Sequence, residues 1–256
     1  MQYRIEIFRN GLVKSLPGPT VFMLSDVTRL YELYTYVFIV KGNGKTIVVE
    51  TGCGDVSKIN RINLELHDGH SIFEIPEEEN IESIIKKAEI IPGKVDFVFL
   101  THLHHDHSSN VDLFPNAKVV LSKKGWIEYL KKDRPYYYNE LDFPSRPIKY
   151  LSSLSSEQLV LVDEEKEIIE GIRAFWVGGH TPCCMAFEIE TIKGRVVFTS
   201  DIAFLESNIS KNHPIGFYYN LWECYEGYEK IKRKADIILT SHDPDILNKN
   251  YKDGKI

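Results

Sequence analysis

The chain has 256 residues and 43% of them are hydrophobic, so it is long enough to bury a sizeable core. Its charges are mixed and sum to −6, which argues against a nucleic-acid or anionic-membrane partner, and no apolar stretch is long enough to cross a bilayer. Because the first residues also lack a signal-peptide pattern, we predict one cytoplasmic domain over residues 1–256, with neither nucleic acid nor membrane as a partner.

Apolar runs of strand length recur along the chain, beginning with an alternating pattern over residues 1–8. The segments 41–45 and 191–194 carry turn residues and are predicted to join neighbouring strands into hairpins. The other predicted strands are Tyr34–Lys41, Thr46–Glu50, Val95–Thr101, Lys118–Leu121, Gly171–Val177, Met185–Glu190, Arg195–Thr199 and Asp236–Thr240. This order of hairpins and helix–strand units predicts two sheets with helices outside them.

Three helices are predicted between these strands, and each begins after a residue that can cap its first turn. The capping residues are Asn80, Ser122 and Asn220, and the helices would continue through residues 88, 130 and 231. The segments 57–79 and 133–156 lack a clear period and are predicted to be irregular. Long loops of this kind often border a substrate site, and solvated connectors are about equally common.

The segment T-H-L-H-H-D-H starts at Thr101, directly after an apolar strand. Imidazole and carboxylate groups are the ligands that zinc and similar divalent ions prefer. In an extended segment, residues two apart share a side, so His102, His104 and Asp106 would point one way and His107 the other. We predict that His102 and His104 serve one ion, and that Asp106 and His107 serve a second.

Three further metal-capable residues, His180, Asp201 and His242, lie at the carboxyl ends of predicted strands. Each of them alone would more often be a structural residue. Together with the first segment, they are expected to converge at one edge of the sheets. The four cysteines form no C-x-x-C pair, and we interpret Cys53, Cys183, Cys184 and Cys224 as reduced thiols.

The run H-x-H-x-D-H, the later Gly-His pair and the strand-end Asp and His together resemble the metallo-β-lactamase superfamily. Their order and spacing match that family from about residue 35 onward. The segment Val48–Gly52 also resembles the family's V-D-T-G segment, with Glu50 in place of the aspartate. The resemblance implies an α/β fold, a four-layer αββα sandwich of two sheets with outer helices.

The resemblance also implies ligand roles. The first ion would be held by His102, His104 and His180, the second by Asp106, His107 and His242, and Asp201 would bridge them. His105 is not a ligand position, and we interpret it as solvent-facing or as support for the neighbouring ligands. Zinc is the expected metal for both sites, with manganese, cobalt and iron as alternatives.

The chemistry that the family implies is hydrolysis. Bound zinc lowers the pKa of water from about 15.7 to about 7, so that hydroxide is available at neutral pH. A metal-bridging hydroxide would attack the carbonyl group of a lactone or ester, and the residual positive charge would stabilise the developing oxyanion. Asp106 is the candidate catalytic proton shuttle, because one of its oxygens could face the substrate.

Within the superfamily, the length and layout are most similar to the N-acyl-homoserine-lactone lactonases, which implies a small-molecule lactone or ester substrate. Two positions depart from that subfamily. Phe204 stands where those lactonases have a tyrosine, and Cys183 stands where a glycine is usual. The cysteine could tighten the conformational demands on the turn, or it could place a thiol near the metals. Tyr218 or Tyr219 could supply the missing hydroxyl, although we favour a packing role for both.

Alternatives to the lactonase hypothesis come from other classes of function. The same dinuclear site would serve a phosphoester or organophosphate hydrolase, whereas a nuclease is disfavoured by the acidic charge balance. A sensory metalloprotein without catalysis is a third hypothesis. If the substrate is an acyl lactone, its apolar pocket is expected from Tyr136–Tyr138, Phe143 and Phe204. A homo-oligomer is compatible with the sequence.

Overall fold

The computed structural model describes residues 2–132, 139–248 and 256. The strands are β1 (Arg4–Pro17), β2 (Leu30–Gly42), β3 (Lys45–Val49), β4 (Ile72–Glu74), β5 (Phe97–Phe99), β6 (Lys118–Ser122), β7 (Leu159–Val162), β8 (Glu165–Ile169), β9 (Ile172–Trp176), β10 (Met185–Thr191), β11 (Gly194–Phe198) and β12 (Ile237–Leu239). The α-helices are α1 (Gly18–Val21), α2 (Val56–Leu66), α3 (Ile81–Lys87), α4 (His105–Ser108), α5 (Lys123–Lys131), α6 (Ser145–Ser153), α7 (Glu206–Ser210) and α8 (Leu221–Lys234).

The strands form two sheets, as predicted. A seven-stranded sheet has the order β4-β1-β2-β3-β5-β6-β7, and a five-stranded sheet has the order β12-β11-β10-β9-β8. Pairing is parallel from β3 through β5 and β6 to β7, and between β11 and β12, and antiparallel elsewhere. Both predicted hairpins are present, with Gly42 opposite Lys45 and Thr191 opposite Gly194.

The main core lies between the two sheets. The rings of Phe38 and Phe198 lie 4.8 Å apart, and Phe99 stacks on Phe187 at 4.8 Å, so the inner faces interlock through aromatic side chains. Each such ring contributes about 1.5–3 kcal/mol when it is fully buried. A second apolar cluster joins the seven-stranded sheet to α3, α5 and α6, and a third joins the five-stranded sheet to α8. The four-layer αββα sandwich is therefore confirmed.

The two segments predicted to be irregular contain regular structure. In the first, α2 begins after Asp55, whose side chain accepts hydrogen bonds from the first turn, and β4 pairs with β1. Only Ile59 and Asn63 of α2 are buried. In the second, α6 carries Pro147 in its first turn, where a missing N–H costs nothing. Tyr136–Tyr138 lie outside the described residues.

The four cysteines are buried and free, in agreement with the sequence. Cys183 belongs to the outer core cluster, and a Cβ added at Gly125 of α5 would lie 2.5 Å from its Sγ. Its thiol therefore packs against helix α5. Among the helices of the described residues, none combines the length and apolar character that crossing a bilayer requires.

Candidate metal centre

All seven residues singled out in the sequence come together at one edge of the sandwich. His102 and His104 follow β5 of the seven-stranded sheet. His180, Asp201 and His242 follow β9, β11 and β12 of the five-stranded sheet. Because β9 and β11 both run antiparallel to β10, and β12 runs parallel to β11, these three strands present their carboxyl ends at the same edge.

The first segment departs from the extended conformation that we predicted for its full length. It is extended only up to His104, and residues 105–108 form the short helix α4. Asp106 and His107 therefore project from a helical turn and do not follow the alternation of a strand. The turn nevertheless separates them from His102 and His104, as the predicted pairing requires.

Two groups of potential ligand atoms result, and within each group these atoms lie within 4.8 Å of one another. One group contains His102, His104, His180 and Asp201, and the other contains Asp106, His107, Asp201 and His242, all buried. Oδ1 of Asp201 lies 3.3 Å from Nε2 of His107 and 3.2 Å from Nε2 of His242. Oδ2 of Asp201 lies 3.6 Å from Nε2 of His102 and 3.7 Å from Nε2 of His180. One carboxylate thus contacts both groups, which is the arrangement that a bridging ligand needs.

Each histidine in the two groups has one ring nitrogen, the outer one, that lies within 3.3 Å of an oxygen atom outside the two groups. The pairs are His102 Nδ1 with Thr101 Oγ1 at 3.1 Å, His104 Nε2 with Asp142 Oδ1 at 3.1 Å, His107 Nδ1 with Glu50 Oε1 at 3.3 Å, His180 Nδ1 with the Phe217 carbonyl oxygen at 2.6 Å, and His242 Nδ1 with the Tyr34 carbonyl oxygen at 2.7 Å. A carboxylate or carbonyl oxygen that faces the outer nitrogen favours a proton on that nitrogen. The lone pair of the other ring nitrogen is then free to bind a metal ion.

A further observation supports the fit of these residues to two divalent ions. His102 Nε2, His107 Nε2 and Asp201 Oδ1 are buried, and none of them has a hydrogen-bond partner among the described residues. A buried polar atom without a partner lowers the stability of the folded state by about 1–3 kcal/mol. Three such atoms close together therefore indicate a site that binds a ligand. A donor set of imidazoles and carboxylates suits zinc.

Burial and mutual charge prepare these groups for metal binding. Burial lowers the pKa of His102 well below its usual value and lowers the pKa of His180 to about 4, so both rings are neutral. Burial opposes ionisation of Asp106 and Asp201, but His107 holds the pKa of both carboxyls well below their usual range. Burial likewise opposes protonation of His107, yet the carboxylates around it raise its pKa, so cation binding would displace a proton there.

A cavity of about 650 Å³ opens onto this centre. Its wall includes the metal-capable residues His104, Asp106, His180, Asp201 and His242, and it includes Phe204, as predicted. The prediction for Phe143 is wrong, because that ring is buried in the outer core, 5.3 Å from the ring of Tyr129. Tyr218 and Tyr219 are over a third exposed, and neither belongs to the described lining of the cavity.

Of the two sequence-based interpretations of His105, the structure contradicts the solvent-facing one. His105 is only 6% exposed, lines the cavity, and its ring meets the ring of Phe73 edge-on at 4.6 Å. It is therefore not solvent-facing. Burial lowers the pKa of His105 to about 4, so the ring is neutral at neutral pH.

Replacement of Asp142 by alanine is expected to weaken metal binding about 10–100-fold, because Asp142 orients His104. Asn139 holds the carboxylate in place through its side-chain amide at 2.6 Å. The affinity can be measured by zinc competition with a chromophoric chelator. Asp163→Ala, which removes an exposed carboxylate paired with Lys123, is the control and should leave the affinity unchanged. Equal affinities for the two variants would show that Asp142 does not support the centre.

Comparison with known proteins agrees with this geometry. A family model described as "Metallo-beta-lactamase superfamily" matches residues 30–242. An N-acyl homoserine lactonase AiiA from Bacillus thuringiensis subsp. kurstaki is 22% identical over 221 residues, covering 84% of this chain and 83% of the relative. An N-acyl homoserine lactonase from Bacillus cereus is 24% identical over 216 residues, covering 82% and 78%.

Solved structures show the same fold. An N-acyl homoserine lactone hydrolase with the product N-hexanoyl-L-homoserine bound at its catalytic metal center superposes with a TM-score of 0.81 at 19% identity, covering 97% of this chain and 96% of that one. AidC, described as a dizinc quorum-quenching lactonase, gives a TM-score of 0.68 at 18% identity, covering 94% and 88%.

Proposed function

This chain belongs to the metallo-β-lactamase superfamily, and from that premise we propose that it is a dinuclear metal-dependent hydrolase that opens lactones or esters. The observation that carries the proposal is the position of Asp201, whose carboxylate contacts both groups of potential ligands. In this proposal His102, His104 and His180 hold one ion, Asp106, His107 and His242 hold the other, and Asp201 bridges them. Zinc is the proposed metal, because the donor set is imidazole and carboxylate.

Two ions bound there would supply a hydroxide at neutral pH and polarise the substrate carbonyl group. Asp106 lines the cavity and is buried beside His107, at 3.5 Å, so its carboxylate is placed to take up a proton and return it to the leaving oxygen. The ring of Phe204 lies 5.3 Å from that of His242 and 6.0 Å from that of His180, where it excludes water. Phe204 has no hydroxyl, so it cannot donate a hydrogen bond to the carbonyl oxygen.

N-acyl-homoserine lactones are the substrate class that we propose first. The relatives named above are lactonases of this kind, and the cavity is large enough for an acylated lactone. Leu16, Leu33 and Leu141 give part of its wall the apolar character that an acyl chain requires.

The test is acid release by the zinc-reconstituted protein from N-hexanoyl-homoserine lactone, with His104→Ala as the inactive control. Rapid release that the substitution abolishes would support the lactonase proposal. A full complement of two zinc ions with no release would overturn the lactone assignment. Turnover of a phosphotriester by that same preparation would instead support the phosphoester alternative.

A further inference from the structure

One aromatic side chain of the cavity wall stays largely exposed beside the metal centre. Phe217 lines the cavity and is 51% exposed, whereas the nearby ring of Phe204 is only 4% exposed. It is favourable to cover apolar surface that faces water with another apolar group. The exposed face of Phe217 is therefore a place where a ligand in the cavity can bind by apolar contact.

The backbone fixes the position of this ring. The carbonyl oxygen of Phe217 accepts a hydrogen bond from Nδ1 of His180 at 2.6 Å. In the preceding residue, the N–H of Gly216 donates to the carbonyl oxygen of Thr20 at 2.9 Å. The approach there is so close that a Cβ added at Gly216 would overlap the carbonyl oxygen of Pro19. Phe217 therefore cannot withdraw from the cavity without breaking these contacts, and its ring is held in place before a ligand binds.

The ring of Phe217 lies over one half of the centre. Its centroid is 5.1 Å from that of His180, which it meets edge-on, and 6.4 Å from that of His104, to which it is inclined by only 29°. The ring of Phe204 instead contacts His180 and His242. Phe217 thus borders the half of the centre that contains His104. A substrate whose reacting bond reaches the centre brings the atoms next to that bond against this ring.

Other apolar side chains line the cavity from elements that carry none of the seven metal-capable residues. Val13 lies on β1, and Leu66 is the last residue of α2. Their surface is available to the acyl chain of a substrate. Contact with the reacting end and contact with the acyl chain can therefore be separated by varying the length of that chain.

We propose that Phe217 is a specificity-determining residue that packs against the atoms next to the scissile bond, so that the cavity requires an apolar face at this end of the substrate whatever the length of the acyl chain. This inference rests on the proposed lactonase function for the identity of the substrate. It assigns Phe217 a part in binding, and none in proton transfer or in metal coordination.

The test is direct binding of two γ-lactam analogues, whose ring amide resists hydrolysis. One carries a butanoyl group and the other a decanoyl group. Calorimetry on the zinc-loaded protein should show that Phe217→Ala weakens binding of both analogues by the same factor, about fivefold to tenfold, as expected when half a phenyl ring is lost from a buried apolar contact. Phe217→Leu, which keeps an apolar side chain, should recover part of that loss. Because the bond to His180 comes from the backbone, both variants should keep the zinc content of the wild type.

Trp222→Ala is the matched control, since it removes an aromatic side chain that is 74% exposed and lies outside the described lining of the cavity. It should leave both affinities unchanged. The inference is overturned if Phe217→Ala has no effect, if its effect grows with the length of the acyl chain, or if neither analogue binds the wild type. Hydrolysis of the corresponding lactones is measured separately. An equal loss of affinity in Phe217→Ala, without any lactone hydrolysis by the wild type, would refute the proposed function and leave the role of Phe217 standing.

Discussion

Asp201→Asn is expected to lower kcat/KM for the lactone by at least about 10³-fold and to lower the zinc content below two ions per chain. An asparagine has the same shape, but one of its two terminal atoms is an NH₂ group that donates hydrogen bonds and does not bridge cations. Because the carboxylate of Asp201 contacts histidines of both groups, the substitution is expected to affect both ions at once. Metal-supplied stabilisation of the transition state is worth several kcal/mol, and about 4 kcal/mol corresponds to that loss of rate.

The matched control for this substitution is Asp236→Asn. Asp236 also lies beside β12, but its exposed carboxylate pairs with Arg195 at 3.0 Å and does not belong to the centre. The control should keep both zinc ions and the activity. The two variants are compared by their metal content, measured by atomic emission, and by their initial rates, measured on the same samples. An Asp201→Asn protein that keeps full activity with fewer than two ions would refute the dinuclear assignment.

The sequence predicted the metal-capable residues of the site because the ligand atoms belong to histidine and aspartate side chains, which can be recognised by residue type. His180, Asp201 and His242 each follow an apolar strand, and strands that share a sheet bring their ends together. The outer partners left much less signal. Tyr34 and Phe217 contribute backbone carbonyl oxygens, which every residue has, so no sequence pattern marks them.

Two of the outer partners are the carboxylates of Glu50 and Asp142. A sequence motif marks the position of Glu50, but none marks that of Asp142. Glu50 stands in the V-V-E-T-G segment, so its position could have been linked to the centre. Asp142 lies in a segment that was predicted to be irregular, and its partner His104 is 38 residues away along the chain. Only the folded structure shows that its carboxylate contacts this histidine, at 3.1 Å.

The limits of the fold prediction have a similar origin. Strand β1 was expected over residues 1–8, but it continues to Pro17, with register shifts on either side of Leu12 and Val13. Such bulges break the alternation of apolar residues on which the prediction depends. Gly11, at φ 107°, lies within the first shift and adopts a backbone conformation that other residues avoid. Helix caps were predicted more reliably, because Asn80, Ser122 and Asn220 act through neighbouring backbone N–H groups.

The proposed metal ions would also join the two sheets. In each group of potential ligands, residues from the segment after β5 face residues that follow strands of the five-stranded sheet. His102 and His180, for example, come from different sheets and both lie close to Asp201. A bound cation would therefore draw side chains of the two sheets together at this edge. The same ions that supply the chemistry would thus stabilise the fold.

Removal of zinc is consequently expected to lower the free energy of unfolding by several kcal/mol. A ligand that binds only the folded state at a concentration 1,000 times its dissociation constant contributes about 4.1 kcal/mol for one site. Burial raises the pKa of Glu50, and the nearby charge of Asp201 raises it further, so these two carboxyls disfavour each other's ionisation when no cation is bound. Urea unfolding followed by tryptophan fluorescence, with EDTA and with excess zinc, measures the difference. Asp201→Asn should show a much smaller zinc-dependent shift, and coincident wild-type curves would refute a stabilising metal centre.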